Sequence, residues 1–228
     1  MKNKEYIINP SALTYFCSHC EYLKQNYNLF NSSVSAGITQ TLDSLEKDFF
    51  LGDCRKIDPE LPEGEVIDPY NDSFFSKILE DNKGRPFRIK GKGDAIIKFK
   101  DKTCGIIDYK TSKFQKHISK PDPFKPEDLQ KKINEYNPQL HAYYLLYANL
   151  EKDTDFLRDQ YIKRYRAKKE ETILKGVDRI LEKISYVEVG KPKVFGLVFI
   201  YPEGGTFADG LNIKLTHKYC EVPIDLDN

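Results

Sequence analysis

The 228-residue sequence has no tryptophan, a single methionine and a net charge of only +1 at neutral pH. A chain this near neutrality is not a polycation, so any affinity for a polyanion must come from where its charges lie, not from their sum. It also lacks an apolar run of the roughly 18 residues that a membrane-spanning helix needs, and no membrane partner is expected. The opening "MKNKEYIINPSALTYF" has no uninterrupted apolar segment of the kind a secretory signal carries. A cytoplasmic protein is therefore expected. In that compartment five cysteines (17, 20, 54, 104 and 220) are thiols or metal ligands, not a disulfide framework.

Hydrophobic residues make up 39% of the chain and aromatics 13%, enough for a well-buried core. We expect one domain over 1–228, with a charged helical insertion near 151–188. Charge is segregated along the chain. Residues 83–120 hold twelve Lys or Arg against three Asp, a balance of +9, and residues 43–82 hold twelve acids against four bases, a balance of −8. That contrast suggests a face for a polyanion; a solvated lysine-rich hairpin beside an acidic loop is the plain alternative.

Periodicity divides the chain. "NPSALTYFCSHCEYLKQNYN" reads as a helix with Ser11 as N-cap, and "SAGITQTLDSLEKDFFLG" as another, with Ile38, Leu42, Leu45 and Phe49 inward and Gly52 as the stop. Residues 53–72, with three prolines, read as loop. "FRIKG", "DAIIKFK" and "CGIIDYK" read as short strands. Helical pattern resumes at "EDLQKKINEY", and a new helix is expected at Asn137-Pro138, as N-cap and first helical residue. Residues 155–185 favour helix. "KVFGLVFIYP" reads as a buried strand and "LNIKLTHKYCEVPID" as an edge strand. The sum is a mixed α/β domain.

One short stretch concentrates the chemistry. In "CGIIDYK", alternation places Cys104, Ile106, Asp108 and Lys110 on one face. If the hairpin is centred on Asp101, Asp94 lies across from Asp108 on that face. An odd-length turn or a bulge is required, because a two-residue turn would send the carboxylates to opposite faces. Paired carboxylates repel unless a cation or proton intervenes, and a hard divalent cation accepts both. An exposed Asp108–Lys110 ion pair, with Asp94 capping a turn, accounts for the same residues.

"GKGDAIIKFKDKTCGIIDYKTSK" followed by "QLHAY" resembles the PD-(D/E)XK nucleases, specifically their RecB-like branch. The matching positions are Asp94, then Asp108, Lys110 and Thr111, then Gln139 and Tyr143; "SALTYFCSHCEYLK" is similar to that branch's opening. The resemblance covers roughly residues 10–147 and implies a mixed central sheet flanked by helices, a restriction-endonuclease-like core. It further implies a Mg²⁺- or Mn²⁺-dependent deoxyribonuclease acting on single- or double-stranded DNA in repair, recombination or defence, with exonuclease action preferred over endonuclease action. Asp94, Asp108 and the backbone carbonyl of Tyr109 would bind the metal. Lys110 would orient the attacking water, with Gln139 and Tyr143 beside it.

Lys90, Lys92, Lys98, Lys100, Lys113 and Lys116 are candidates for backbone contacts. Where many RecB-like nucleases have histidine, this chain has Thr41. That departure favours a second reading, a nucleic-acid-binding module that has lost cleavage. Glu46, one turn on, reads as a solvent-facing helix residue and only secondarily as an extra ligand. Some members of the branch carry an iron–sulfur cluster. Cys17, Cys20, Cys54 and Cys220 do not match that pattern, and ordinary buried thiols are preferred over a cluster or zinc site.

Overall fold

The computed structural model describes residues 6–14, 27, 37–67, 73–111, 126–166, 168–188, 192–206 and 212–223. The strands are β1 (Tyr6–Ile8), β2 (Gly52–Asp53), β3 (Gly64–Ile67), β4 (Phe74–Phe75), β5 (Leu79–Glu80), β6 (Pro86–Gly91), β7 (Ala95–Phe99), β8 (Cys104–Thr111), β9 (Pro192–Thr206) and β10 (Asn212–Glu221). Among the described residues, these helices flank them: α1 (Gly37–Phe50), α2 (Pro126–Ala148), α3 (Thr154–Tyr165) and α4 (Glu170–Glu188). The larger sheet runs β10-β9-β8-β7-β3-β2, antiparallel except for the β8–β9 pair. In the smaller sheet β6 pairs with β1 in parallel and with β4 and β5 antiparallel. This is the α/β fold of a restriction-endonuclease-like core.

Strand alternation divides the core between the two faces of the larger sheet. Ile96, Ile106 and Phe199 pack with Leu140 and Leu146 of α2 and with Leu157, Val177 and Ile180 of α3 and α4. Ile97, Ile107, Tyr109 and Val198 face the other way, against Phe50 of α1.

Four sequence readings change. Residues 10–12 form a short 3-10 turn that begins at Pro10, so Ser11 caps no helix there. The proline-rich stretch 53–72 contains β3, whose four residues are too few to show a period, yet it extends the sheet by pairing with β7. Asn137-Pro138 starts no helix. α2 runs unbroken from Pro126 to Ala148 with Pro138 inside it. Finally, α1 is rotated from its expected face: Leu45 and Phe49 are exposed, while Glu46 and Phe50 are buried. The ring of Phe50 accounts for this, stacked on Tyr109 at 5.3 Å and edge-on to His217 at 4.9 Å. Ile38, Leu42 and Thr41 lie in a part of α1 where side chains are outside the described residues.

The segregated charges meet in space. β3, from the acidic stretch, pairs with β7, from the basic one, so that Glu65 lies opposite Lys98. Glu63 forms an ion pair with Lys100 at 2.6 Å.

Candidate active site

The β7–β8 hairpin has the register that brings both aspartates to one face. Ala95 pairs with Ile107, Ile96 with Ile106, Ile97 with Gly105 and Lys98 with Cys104. Between Phe99 and Thr103 three residues make the turn, and the last of them, Lys102, adopts a left-handed φ of 68°. This is the type I turn with a left-handed third residue that closes three-residue hairpins. One further step of the same register sets Asp94 across from Asp108, and the Asp94 N–H still donates to the Ile107 carbonyl (3.1 Å).

Asp108 is 2% exposed. Burial is the main reason its carboxyl is pushed up to about 8, with the neighbouring Asp94 charge next; the Lys110 ammonium acts in the opposite direction. Lys110 forms an ion pair with Asp108 Oδ2. Its Nζ also donates to Gln139 Oε1 (3.2 Å) and stands 4.5 Å from the centre of the Tyr136 ring. Asp94 is more open. Its Oδ2 accepts the Tyr109 N–H (3.0 Å) and its Oδ1 lies 3.5 Å from Lys47 Nζ.

Gln139 ties the two sides of the site together. Its Nε2 donates to Asp108 Oδ1 (3.3 Å) and to the Tyr143 hydroxyl (3.2 Å). Its Oε1 accepts from Lys110 and from the Thr14 hydroxyl (2.9 Å). With donors on one end and acceptors on the other, the amide has a single satisfied orientation. Gln139 acts through its side chain alone: in mid-helix it offers no unpaired backbone N–H, contrary to the helix-start expectation. Burial, and then the charge of Asp108, raises the Tyr143 phenol above its usual value, so it stays protonated. Tyr147, one turn on, accepts the Gly93 N–H (3.0 Å) and fixes the entry to Asp94.

Sequence reasoning missed two members of this set. Lys47 sits one residue from Glu46 on a helix whose rotation was misread, and Thr14 reaches Gln139 across 125 positions; neither leaves a periodic signal. Glu46 is buried rather than solvent-facing. It does not join Asp94 and Asp108, because among the described residues no three acidic, His or Cys side chains form a metal-holding group. Of the candidate phosphate contacts, Lys90 and Lys92 precede Asp94 by four and two residues, and Lys90 Nζ stands 5.0 Å from the centre of the Phe75 ring. Lys98 and Lys100 lie at the turn, the far end of β7. Lys113 and Lys116 are outside the described residues, as are Cys17 and Cys20. Cys54 is a buried thiol donating to the Pro62 carbonyl (3.0 Å), and burial raises both it and Cys220.

The donor set suits a hard cation. Two carboxylates that share one end of a sheet, one of them buried at a cost in charge, offer oxygen ligands only. Two ammonium groups, from Lys47 and Lys110, now balance that charge.

The family model of the PD-(D/E)XK nuclease superfamily matches residues 43–193. No curated protein matches the chain. Among solved structures the chain is similar to one described as "Crystal structure of SSO0001", with 15% identity, a TM-score of 0.46, and 99% of this chain and 72% of that one covered.

Proposed function

The chain belongs to the PD-(D/E)XK nuclease superfamily, and from that premise we propose that it is a divalent-metal-dependent deoxyribonuclease of the RecB-like branch, acting from strand ends. The observation that carries this reading is the convergence of Asp94, Asp108, Lys110 and Gln139 at one end of the sheet, with Asp108 buried. The branch assignment is supported by the order Gly91-x-x-Asp94, Asp108-x-Lys110 and Gln139-x-x-x-Tyr143.

Asp94, Asp108 and the Tyr109 carbonyl would hold Mg²⁺ or Mn²⁺. Such a cation polarises a phosphoryl oxygen and lowers the pKa of water. The chain's own residues do the rest. Burial and Asp94 favour the protonated form of Asp108, so it would have to lose that proton to serve as a ligand. Lys110, held by Gln139, orients the attacking water and offsets charge that develops on the phosphate. Thr14 and Asp108 keep the Gln139 amide from flipping, and so keep the Lys110 ammonium in place. Lys90 and Lys92 are proposed to hold backbone phosphates. A phosphate at Lys100 would have to compete with Glu63.

Because protonated Asp108 competes with the cation, apparent affinity should rise about tenfold per pH unit up to about 8 and level off above it. Calorimetric titration with Mn²⁺ between about pH 6 and 9 measures this. A flat profile would remove Asp108 from the ligand set.

One observation favours the second reading, a nucleic-acid-binding module without cleavage: Lys47 and Lys110 already balance both carboxylates, and no third acid joins them among the described residues. Incubating the purified chain with end-labelled single- and double-stranded DNA, with and without Mg²⁺ or Mn²⁺, separates the two. Metal-dependent shortening from the ends supports the exonuclease; salt-sensitive binding with intact DNA supports the binding module.

A further inference from the structure

α3 ends in a dense run of cations. Lys163, Arg164, Arg166, Lys168 and Lys169 fall within seven residues, and no acid occurs between Asp159 and Glu170. All five are exposed. Cations in a last helical turn complement the helix dipole, which accounts for Lys163 and Arg164 but not for the three beyond the helix end. The acids that follow are engaged with cations outside the run: Glu170 accepts from Arg158 (2.7 Å) and Glu171 from Lys175 (2.8 Å).

The run also reaches β6, the strand that leads to Asp94. Arg164 extends to β4's flank, where its Nη1 donates to Ser73 Oγ (3.3 Å). There it lines a small pocket with Ser73, Gln160 and Lys90. Burial, and then the charge of Arg164, holds the Lys90 ammonium below the usual lysine value. Lys90 is the penultimate residue of β6, four residues before Asp94, so their Cα atoms are at most about 14 Å apart. That is a span of a few phosphates along one strand.

We propose that the α3–α4 turn and Lys90 form a track for the phosphate backbone of the nucleic-acid strand that leads away from Asp94 and Asp108. The choice of partner rests on the nuclease reading; the track itself rests on the clustering of cations and their continuity with Lys90. Lys and Arg contacts of this kind fix the position of a strand and add affinity with little sequence preference.

The test is the combined variant Lys163→Gln, Arg166→Gln, Lys168→Gln and Lys169→Gln, with Arg164 left in place because it packs against Ser73 and Tyr165. All four side chains are exposed, so circular dichroism and the melting midpoint should match those of the unaltered chain. Binding of a fluorescent DNA of about 30 nucleotides is followed by anisotropy in EDTA, over about 50 to 200 mM salt. We expect affinity to fall roughly 10- to 100-fold at the low-salt end and the slope of log affinity on log salt to flatten by about three. If the unaltered chain binds and cleaves DNA while the variant keeps the same slope, the track is wrong and the nuclease reading stands. If the unaltered chain binds no DNA, both fall. Should the run instead confer tighter binding to anionic phospholipid vesicles than to DNA, the surface belongs to lipid and the proposal is overturned.

Discussion

Asp108→Asn is expected to abolish metal-dependent cleavage while making the metal-free protein more stable. Losing one of two cation-binding carboxylates removes several kcal/mol of transition-state stabilisation, on the order of a 10³-fold fall in rate or more. The stability effect has the opposite sign. Burial and the Asp94 charge raise the Asp108 pKa to about 8, so the folded chain holds this proton more tightly than the unfolded chain does. The resulting stabilisation is present at low pH and is lost as pH rises toward 8. Asparagine never ionises and escapes that loss, so the variant's melting midpoint should exceed that of the unaltered metal-free protein, most clearly above pH 8. DNA binding should persist or tighten, since a negative charge near the phosphate is gone. Cleavage kinetics and thermal melting in EDTA at two pH values test both halves. An Asn variant that cuts DNA normally would end the active-site assignment; one that melts lower would mean the carboxylate is net stabilising through Lys110.

The second large effect lies away from the candidate active site. Arg88 Nη1 donates to Glu151 Oε2 (2.5 Å) and to the Ser76 carbonyl (2.8 Å), and its guanidinium lies 4.1 Å from the centre of the Phe156 ring. Glu151 Oε1 accepts the Lys152 and Asp153 N–H groups, and the Glu151 N–H donates to the Phe75 carbonyl (2.8 Å). Burial alone would raise the Glu151 carboxyl, but Arg88 and the two backbone donors outweigh it and leave it below its ordinary value. This pair joins β6 and β4 to the connection between α2 and α3. Both side chains are nearly buried, so Glu151→Gln removes the carboxylate that the guanidinium faces and should cost about 3–5 kcal/mol. Replacing both partners, as Arg88→Met with Glu151→Gln, should recover part of that loss, because an apolar side chain needs no partner. Urea denaturation of the two single variants and the double variant measures the coupling. Additive losses would show that the two side chains act independently. Because this ion pair is on the strand that leads to Asp94, Glu151→Gln should also lower cleavage at temperatures near the variant's melting range.

The sequence by itself determined the hairpin and the identity of the residues at its open end, but left its parity open between an odd and an even turn. Strand alternation is local and put Asp108 and Lys110 on one face; setting Asp94 opposite Asp108 also needed an odd turn, which the structure supplies as three residues closed by the left-handed Lys102. Gln139 could also be singled out, as an amide on an apolar helical stripe that must find partners. What those partners are was decided only by tertiary packing: the Thr14 hydroxyl, Asp108 and Lys110 come from three distant segments. Likewise the rotation of α1 followed from the stacking of Phe50 on Tyr109. That contact overrode the helix's own pattern, burying Glu46, exposing Leu45 and Phe49, and bringing Lys47 to Asp94. The charge blocks show the same limit. A linear count of +9 and −8 suggested a basic face, but β3 pairs with β7 and sets the acids against the hairpin lysines, because register follows backbone hydrogen bonding and buried apolar side chains, not net charge.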